Sequence, residues 1–187
     1  MKAVIIHKGK YGATKQYALW LGHELGLQVR SANIINGNQL DPFDTLLIGT
    51  SVYIGKLKIR DWLKENLDFL KNKKIILFQV AGSPPEEKDK RQAYNTASIP
   101  ASIIGNCECY FLPGRMIIGK LSWKDRFMLK MGARLAKDPK DRKTMLTDYD
   151  HVKKENLAEL ISEMKKRMLG TAPLIVEKDL LPLVGIH

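Results

Sequence analysis

The chain has 187 residues, 44% of them apolar, enough for one domain with a sizeable core. No apolar run approaches the ~18 residues of a membrane span, and the start, Met1-Lys2 and a short apolar run, is too brief for a secretory leader. The formal net charge is +11, and residues 115–143 carry ten basic side chains against three acids, so most of the excess is local.

Strand-like and helix-like runs alternate. Residues 2–6, KAVII, read as a short buried strand bounded by a glycine loop. Residues 14–25 place Tyr17, Ala18, Leu21 and Leu25 at helical spacing, with Thr14 as the N-cap and Gly26 as the stop. Residues 27–32 suggest a second strand and residues 45–49 a third, followed by a polar-aromatic loop, TSVYIG. Ile59, Trp62, Leu63, Leu67 and Leu70 mark the next helix. Residues 74–80, KIILFQV, form a fourth strand, and Pro84-Pro85 in the following AGSPPEEK opens another helix. Residues 107–112 are a fifth strand. Its Cys107 and Cys109 share one face, where a mutual disulfide is awkward; they read as two buried thiols of a reducing cytoplasm, a metal or redox pair being the other reading. Residues 122–137 and 150–168 are helical, the second with Val152, Leu157, Leu160, Ile161, Met164 and Met168 on its apolar side. This alternation means βαβ units and a parallel sheet, and five strands fit a doubly wound α/β domain of order 2-1-3-4-5. Nothing divides the chain before its apolar, proline-bearing tail, residues 169–187.

The stretch HKGKYGATK, residues 7–15, joins the first strand to the first helix. Gly9 and Gly12 allow close backbone approach, Thr14 offers a hydroxyl, and the helix N-terminus aims N–H groups at one point. A phosphate suits that turn, although a glycine turn can also be only a turn. The spacing matches neither the dinucleotide nor the nucleoside-triphosphate glycine motif. Two more loops, TSVYIG and the one opening at Ala81, leave the same edge of the sheet, and Tyr53 there either covers a flat ring or simply packs.

KYGAT after the first strand and GTSVYIG after the third resemble the FMN site of flavodoxin-fold proteins, over roughly residues 1–168. Residues 122–152, with a W-x-DRFM-x-K core and a TD-x-x-x-V ending, resemble the insertion and last helix of the flavodoxin-like, menaquinone-dependent protoporphyrinogen oxidases. The resemblance implies phosphate contacts from Gly9, Lys10, Tyr11, Gly12, Ala13 and Thr14. It implies ring contacts from Thr50, Ser51, Val52, Tyr53, Ile54 and Gly55, and from Ala81, Gly82 and Ser83. One departure is Gly9, where that family commonly has Ser or Thr, so one hydroxyl contact is lost.

Around residues 114–148 the resemblance implies an insertion. Leu121, Trp123, Phe127, Met128, Met131 and Leu135 are interleaved there with Lys120, Lys124, Arg126, Lys130, Arg134 and Lys137, several at helical spacing. Such a helix packs on the domain with a solvated basic face, or it meets a membrane interface or an acidic apolar ligand. No nucleic-acid motif accompanies the charge. Arg115 and its basic neighbours are implied to attract porphyrin propionates or lipid headgroups.

The expected function is an FMN-dependent oxidoreductase of haem biosynthesis, taking electrons from a porphyrinogen or other small-molecule donor and passing them to a quinone-type acceptor. It would work in the cytoplasm, peripheral on the inner face of the cell membrane. The alternatives are an electron-transfer flavodoxin or quinone reductase with another substrate, and a flavodoxin-fold binding module without FMN. The flavin carries the redox chemistry, so no catalytic acid or base and no metal ligand is assigned, and His7 reads as structural.

Overall fold

Apolar residues run unbroken through positions 3–6, 46–48 and 75–78 because both faces of the sheet they form are covered. The computed structural model describes residues 1–82, 88–136 and 138–170. Ser83, the Pro84-Pro85 helix start, Lys137 and most of the tail, residues 171–187, lie outside the described residues. The strands are β1 (Ala3–Lys8), β2 (Val29–Ser31), β3 (Thr45–Tyr53), β4 (Lys74–Ala81) and β5 (Cys107–Pro113). They are parallel, in the order β2-β1-β3-β4-β5.

The register stacks Ile6, Ile48, Leu77 and Cys109 across four strands. On that face lie Trp62 and Leu63 from helix α2 (Arg60–Glu65), with Leu70, Ile99 and Ile103. The opposite face, with Ile5, Leu47 and Ile76, is covered by Tyr17, Ala18, Leu21 and Leu25 of α1 (Ala13–Leu25). Leu160 and Met164 of the last helix (Ala158–Gly170) complete that cover. Gly26, at φ 64°, ends α1 as its spacing predicts.

Several boundaries differ from the sequence reading. Gly12, at φ 86°, is the N-cap of α1, so Thr14 sits inside the first turn and caps nothing. Strand β2 is shorter than residues 27–32, and β3 continues through Thr50, Ser51, Val52 and Tyr53. That extension is held by β4 on one side and by the antiparallel pair Lys56–Leu57 on the other, leaving only Ile54 and Gly55 as the turn. Of residues 150–168, only Ala158 onward is α-helix, after a 3-10 turn at Lys154–Leu157. The insertion follows β5. It is closed at its base by a two-residue antiparallel ribbon, Arg115–Met116 with Tyr149–Asp150. Between these lie α3 (Trp123–Leu135) and α4 (Pro139–Met145).

Cys107 and Cys109 pack on the same core face, both free, and burial pushes the Cys107 thiol up to about 12 and raises that of Cys109. Neither is a thiolate near neutral pH, which leaves them as small apolar packing groups.

Glycine supplies the close approach of β3 to its neighbour. A Cβ on Gly49 would run into the Phe78 ring, whereas one on Gly105 would meet nothing. Gly49→Ala is expected to cost about 1–3 kcal/mol through overpacking. Gly105→Ala, at φ −66°, should gain about 0.4–1 kcal/mol. Urea midpoints of the two variants against the parent chain check both signs.

Candidate functional site

Where β1 gives way to α1, the backbone turns sharply through Gly12 and brings residue 9 against residue 14. A Cβ on Gly9 would lie 2.7 Å from both Cβ and Oγ1 of Thr14. Glycine at position 9 therefore makes room for the threonine, and a serine there would strike it. Thr14 is 1% exposed and its Oγ1 has no hydrogen-bond partner. Leaving a buried hydroxyl unsatisfied costs about 1–3 kcal/mol, so a ligand oxygen is the natural acceptor. The first turn of α1 carries no acid, and its free amides form the positive end of the helix. A phosphate fits this donor set.

The second component is the end of β3. The Tyr53 hydroxyl donates to Asp125 Oδ1 at 2.7 Å, and Lys10 Nζ pairs with Asp125 Oδ2 at 2.6 Å. The Tyr11 hydroxyl also donates to Asp125 and accepts from the Ser122 N–H at 3.3 Å. Lys10 Nζ lies 3.9 Å from the Tyr53 ring centroid, with Lys58 Nζ at 5.4 Å. Burial alone would raise the Asp125 carboxyl, but hydrogen bonds from Lys10, Tyr11 and Tyr53 outweigh it and hold it at about 2. Lys10 is correspondingly driven upward against its own desolvation, chiefly by Asp125 and Tyr53. In the sequence Asp125 is the acid of the W-x-DRFM core and one of three opposing the basic excess; the local signal is Ser122, whose hydroxyl accepts from the Asp125 N–H at 3.2 Å and caps α3.

The remaining expected contacts divide. Thr50 is fully buried and its Oγ1 accepts from the Ile59 N–H at 3.1 Å, so it belongs to the core. The Ser51 hydroxyl is buried without a partner, and Val52 is half-buried. Ile54 turns outward at φ 48°, a conformation strained for a β-branched residue, and is 66% exposed; Gly55 follows at φ 69°. Ala81 accepts from the Gly114 N–H, and a Cβ on Gly82 would run into the Tyr149 hydroxyl. Tyr149, which stacks on His151 at 5.4 Å, thus brings a second aromatic to the loop after β4, one absent from the sequence reading.

The basic segment is less uniform than its composition suggests. Arg115 hydrogen-bonds Gln16 and pairs with Asp150, tying the ribbon to α1 instead of joining the cations of α3. Lys120, Lys124, Arg126, Lys130 and Arg134 are exposed. So are the large apolar residues: Trp123 70%, Phe127 61%, Leu135 78%, with Met128 and Met131 beside them. Asp125 and Ala133 are the buried residues of α3. Among the cavities, one of about 550 Å3 lies elsewhere, along β5 between Arg91, Glu108, Tyr110 and Glu159. It touches none of the three convergent loops, and their donor chemistry makes them the better candidate.

The profile of the family described as Flavodoxin domain matches residues 4–143, more than half of the chain. The chain belongs to the flavodoxin-domain family. This flavodoxin-domain chain is 24% identical over 164 residues to "Protoporphyrinogen IX dehydrogenase (quinone)" of Escherichia coli K12, covering 81% of its own length and 91% of the relative's. Similar solved structures include "a flavodoxin from the domain Archaea", 13% identical with a TM-score of 0.47, covering 88% of this chain and 99% of that one. Oxidised Flavodoxin 2 from Bacillus cereus is 14% identical with a TM-score of 0.49 over the same shares.

The Asp125 cluster gives the flavodoxin-domain chain an acid-sensitive joint. Because the carboxyl falls from an ordinary 3.8 to about 2 on folding, its stabilisation is complete above pH ~4 and is lost as pH falls through about 2. Asp125→Asn should lie below the parent in stability at pH 5, by on the order of 2 kcal/mol. That gap should close as pH approaches 2, which urea midpoints at several pH values measure; a pH-independent gap would contradict the linkage.

Proposed function

We propose that this protein is an FMN-dependent oxidoreductase that takes reducing equivalents from a porphyrinogen-type donor and passes them to a quinone-type acceptor. The observation that carries the reading is the buried, unpartnered Thr14 hydroxyl beside Gly9 at the start of α1. The substrate class is supported by the Escherichia coli relative, whose name gives both protoporphyrinogen IX and quinone. FMN, when bound, supplies the one- and two-electron redox chemistry.

The chain's own residues do the rest. The amides of residues 10–14 and the Thr14 hydroxyl would hold the phosphate. Tyr53, Ile54 and Gly55, with Ala81 and Gly82 backed by Tyr149, would supply the ring contacts. Lys10 stays an ammonium and neutralises charge gathered at the turn. His7 is half-buried in β1, and burial, followed by Lys15, lowers its pKa, so it is neutral at pH 7. Charge-assisted hydrogen bonds contribute roughly 1.5–3 kcal/mol each, while nanomolar binding needs about 12, so several such contacts are needed and no single one is decisive.

The exposed face of α3 is where a hydrophobic acceptor is met. Trp123 and Phe127, flanked by Lys124, Arg126 and Lys130, suit the headgroup region of an anionic bilayer, each cation adding about 1 kcal/mol. Among the described residues no helix is long and apolar enough to cross a membrane.

Thr14→Val tests the cofactor reading. Removing an unsatisfied hydroxyl should leave the flavin-free protein as stable as the parent or slightly more so, while FMN affinity falls tenfold or more. Fluorescence titration of FMN checks this; an unchanged dissociation constant would overturn the phosphate assignment. For the bilayer, Lys124→Gln with Lys130→Gln should weaken sedimentation with anionic vesicles, in the way added salt does, without altering FMN content. Undiminished sedimentation would return α3 to a role without lipid.

A further inference from the structure

Helix α3 is mounted in the orientation that the hydrophobic effect disfavours. It buries an acid, Asp125 at 8% exposure, and leaves Trp123 and Phe127 in solvent. An acid in the first turn of a helix ordinarily needs no more than water and the helix dipole, which contributes a few tenths of a kcal/mol at the surface. Here three donors from two other elements reach it instead. Lys10 and Tyr11 come from the turn after β1, 115 and 114 positions earlier in the chain, and Tyr53 comes from the end of β3. Ser122, the cap of the helix, adds a backbone bond to Tyr11. Its neighbours on α3, Lys124 and Arg126, are exposed.

We propose that Asp125 is a positioning residue that locks the basic insertion onto the two loops of the cofactor site. By engaging Tyr53, Tyr11 and Lys10 together, it fixes the Tyr53 ring at the end of β3 and sets the rotation of α3 about its axis. The rotation keeps the Trp123–Phe127 stripe turned outward, so the surface offered to a partner and the ring contact of the cofactor site are set by one carboxylate. The consequence for the flavin rests on the FMN reading above; the consequence for α3 does not.

Two readouts separate them. In the protein without added flavin, Asp125→Ala removes the anchor, and α3 turns its aromatic side toward the domain. Trp123 emission then moves to shorter wavelength and its quenching by acrylamide falls by about half, the direction in which apolar burial drives the helix. Asp125→Glu keeps the charge and retains most of the parent quenching, which a mere loss of packing volume would not restore. Tyr53→Phe, which removes one donor and leaves the ring, gives an intermediate value and serves if Asp125→Ala does not fold. In the FMN-loaded protein, Asp125→Asn removes a fixed negative charge from beside Tyr53, and the midpoint potential of the flavin becomes more positive, while Asp125→Glu leaves it near the parent value. Parent-like Trp123 quenching in folded Asp125→Ala, or in Tyr53→Phe if that variant alone folds, overturns the proposal. Altered quenching with no FMN bound by any variant supports the lock and refutes the cofactor reading alone.

Discussion

Strands β1 and β3 lie side by side although the chain between them has travelled out to β2 and returned. That reversal is the constraint on which the site depends. The connection after β1 leads toward β2 and the connection after β3 leads toward β4, so the turns at their carboxyl ends part and leave a crevice between them. Backbone donors at the start of α1 stand on one side and Tyr53 on the other. Both are fixed by a sheet whose two faces are filled by Tyr17, Leu21 and Phe78 on one side and Trp62, Leu63 and Leu70 on the other.

The insertion reaches the same edge of the sheet, where Asp125 engages Lys10 and Tyr11 of one turn and Tyr53 at the end of β3. The arrangement runs against simple amphipathic packing: the large apolar groups of α3 are outside and its acid is inside. Three donors compensate for the desolvated carboxylate, which is why burial fails to raise it. A helix held this way can present aromatic and basic side chains to a bilayer or an apolar acceptor without rearranging the fold.

Most of the fold was legible because strands covered on both faces leave continuous Val, Ile and Leu runs, as in KAVII and KIILFQV. What escaped was tertiary. Residues 50–53 look like a loop because Thr50 and Ser51 are polar, yet Thr50 is used inside the core to hold the Ile59 amide. Thr14 has the composition of a cap, but the positive φ of Gly12 moves the helix start and turns the threonine inward. The glycine turn and Tyr53 were readable as candidates from strand order alone. Asp125 was not, since nothing local in W-x-DRFM tells that residues 10, 11 and 53 converge on it. Nor did helical spacing reveal which side of α3 would face water.

The central claim is that the crevice between β1 and β3 holds FMN, and hydrogen exchange of the full chain with and without FMN tests it most directly. The account predicts that added FMN slows exchange at the amides of residues 10–14 and 53–55, and leaves unchanged the segment lining the cavity along β5, around Glu108, Tyr110 and Glu159. Protection confined to that cavity, with residues 10–14 exchanging as before, would contradict it.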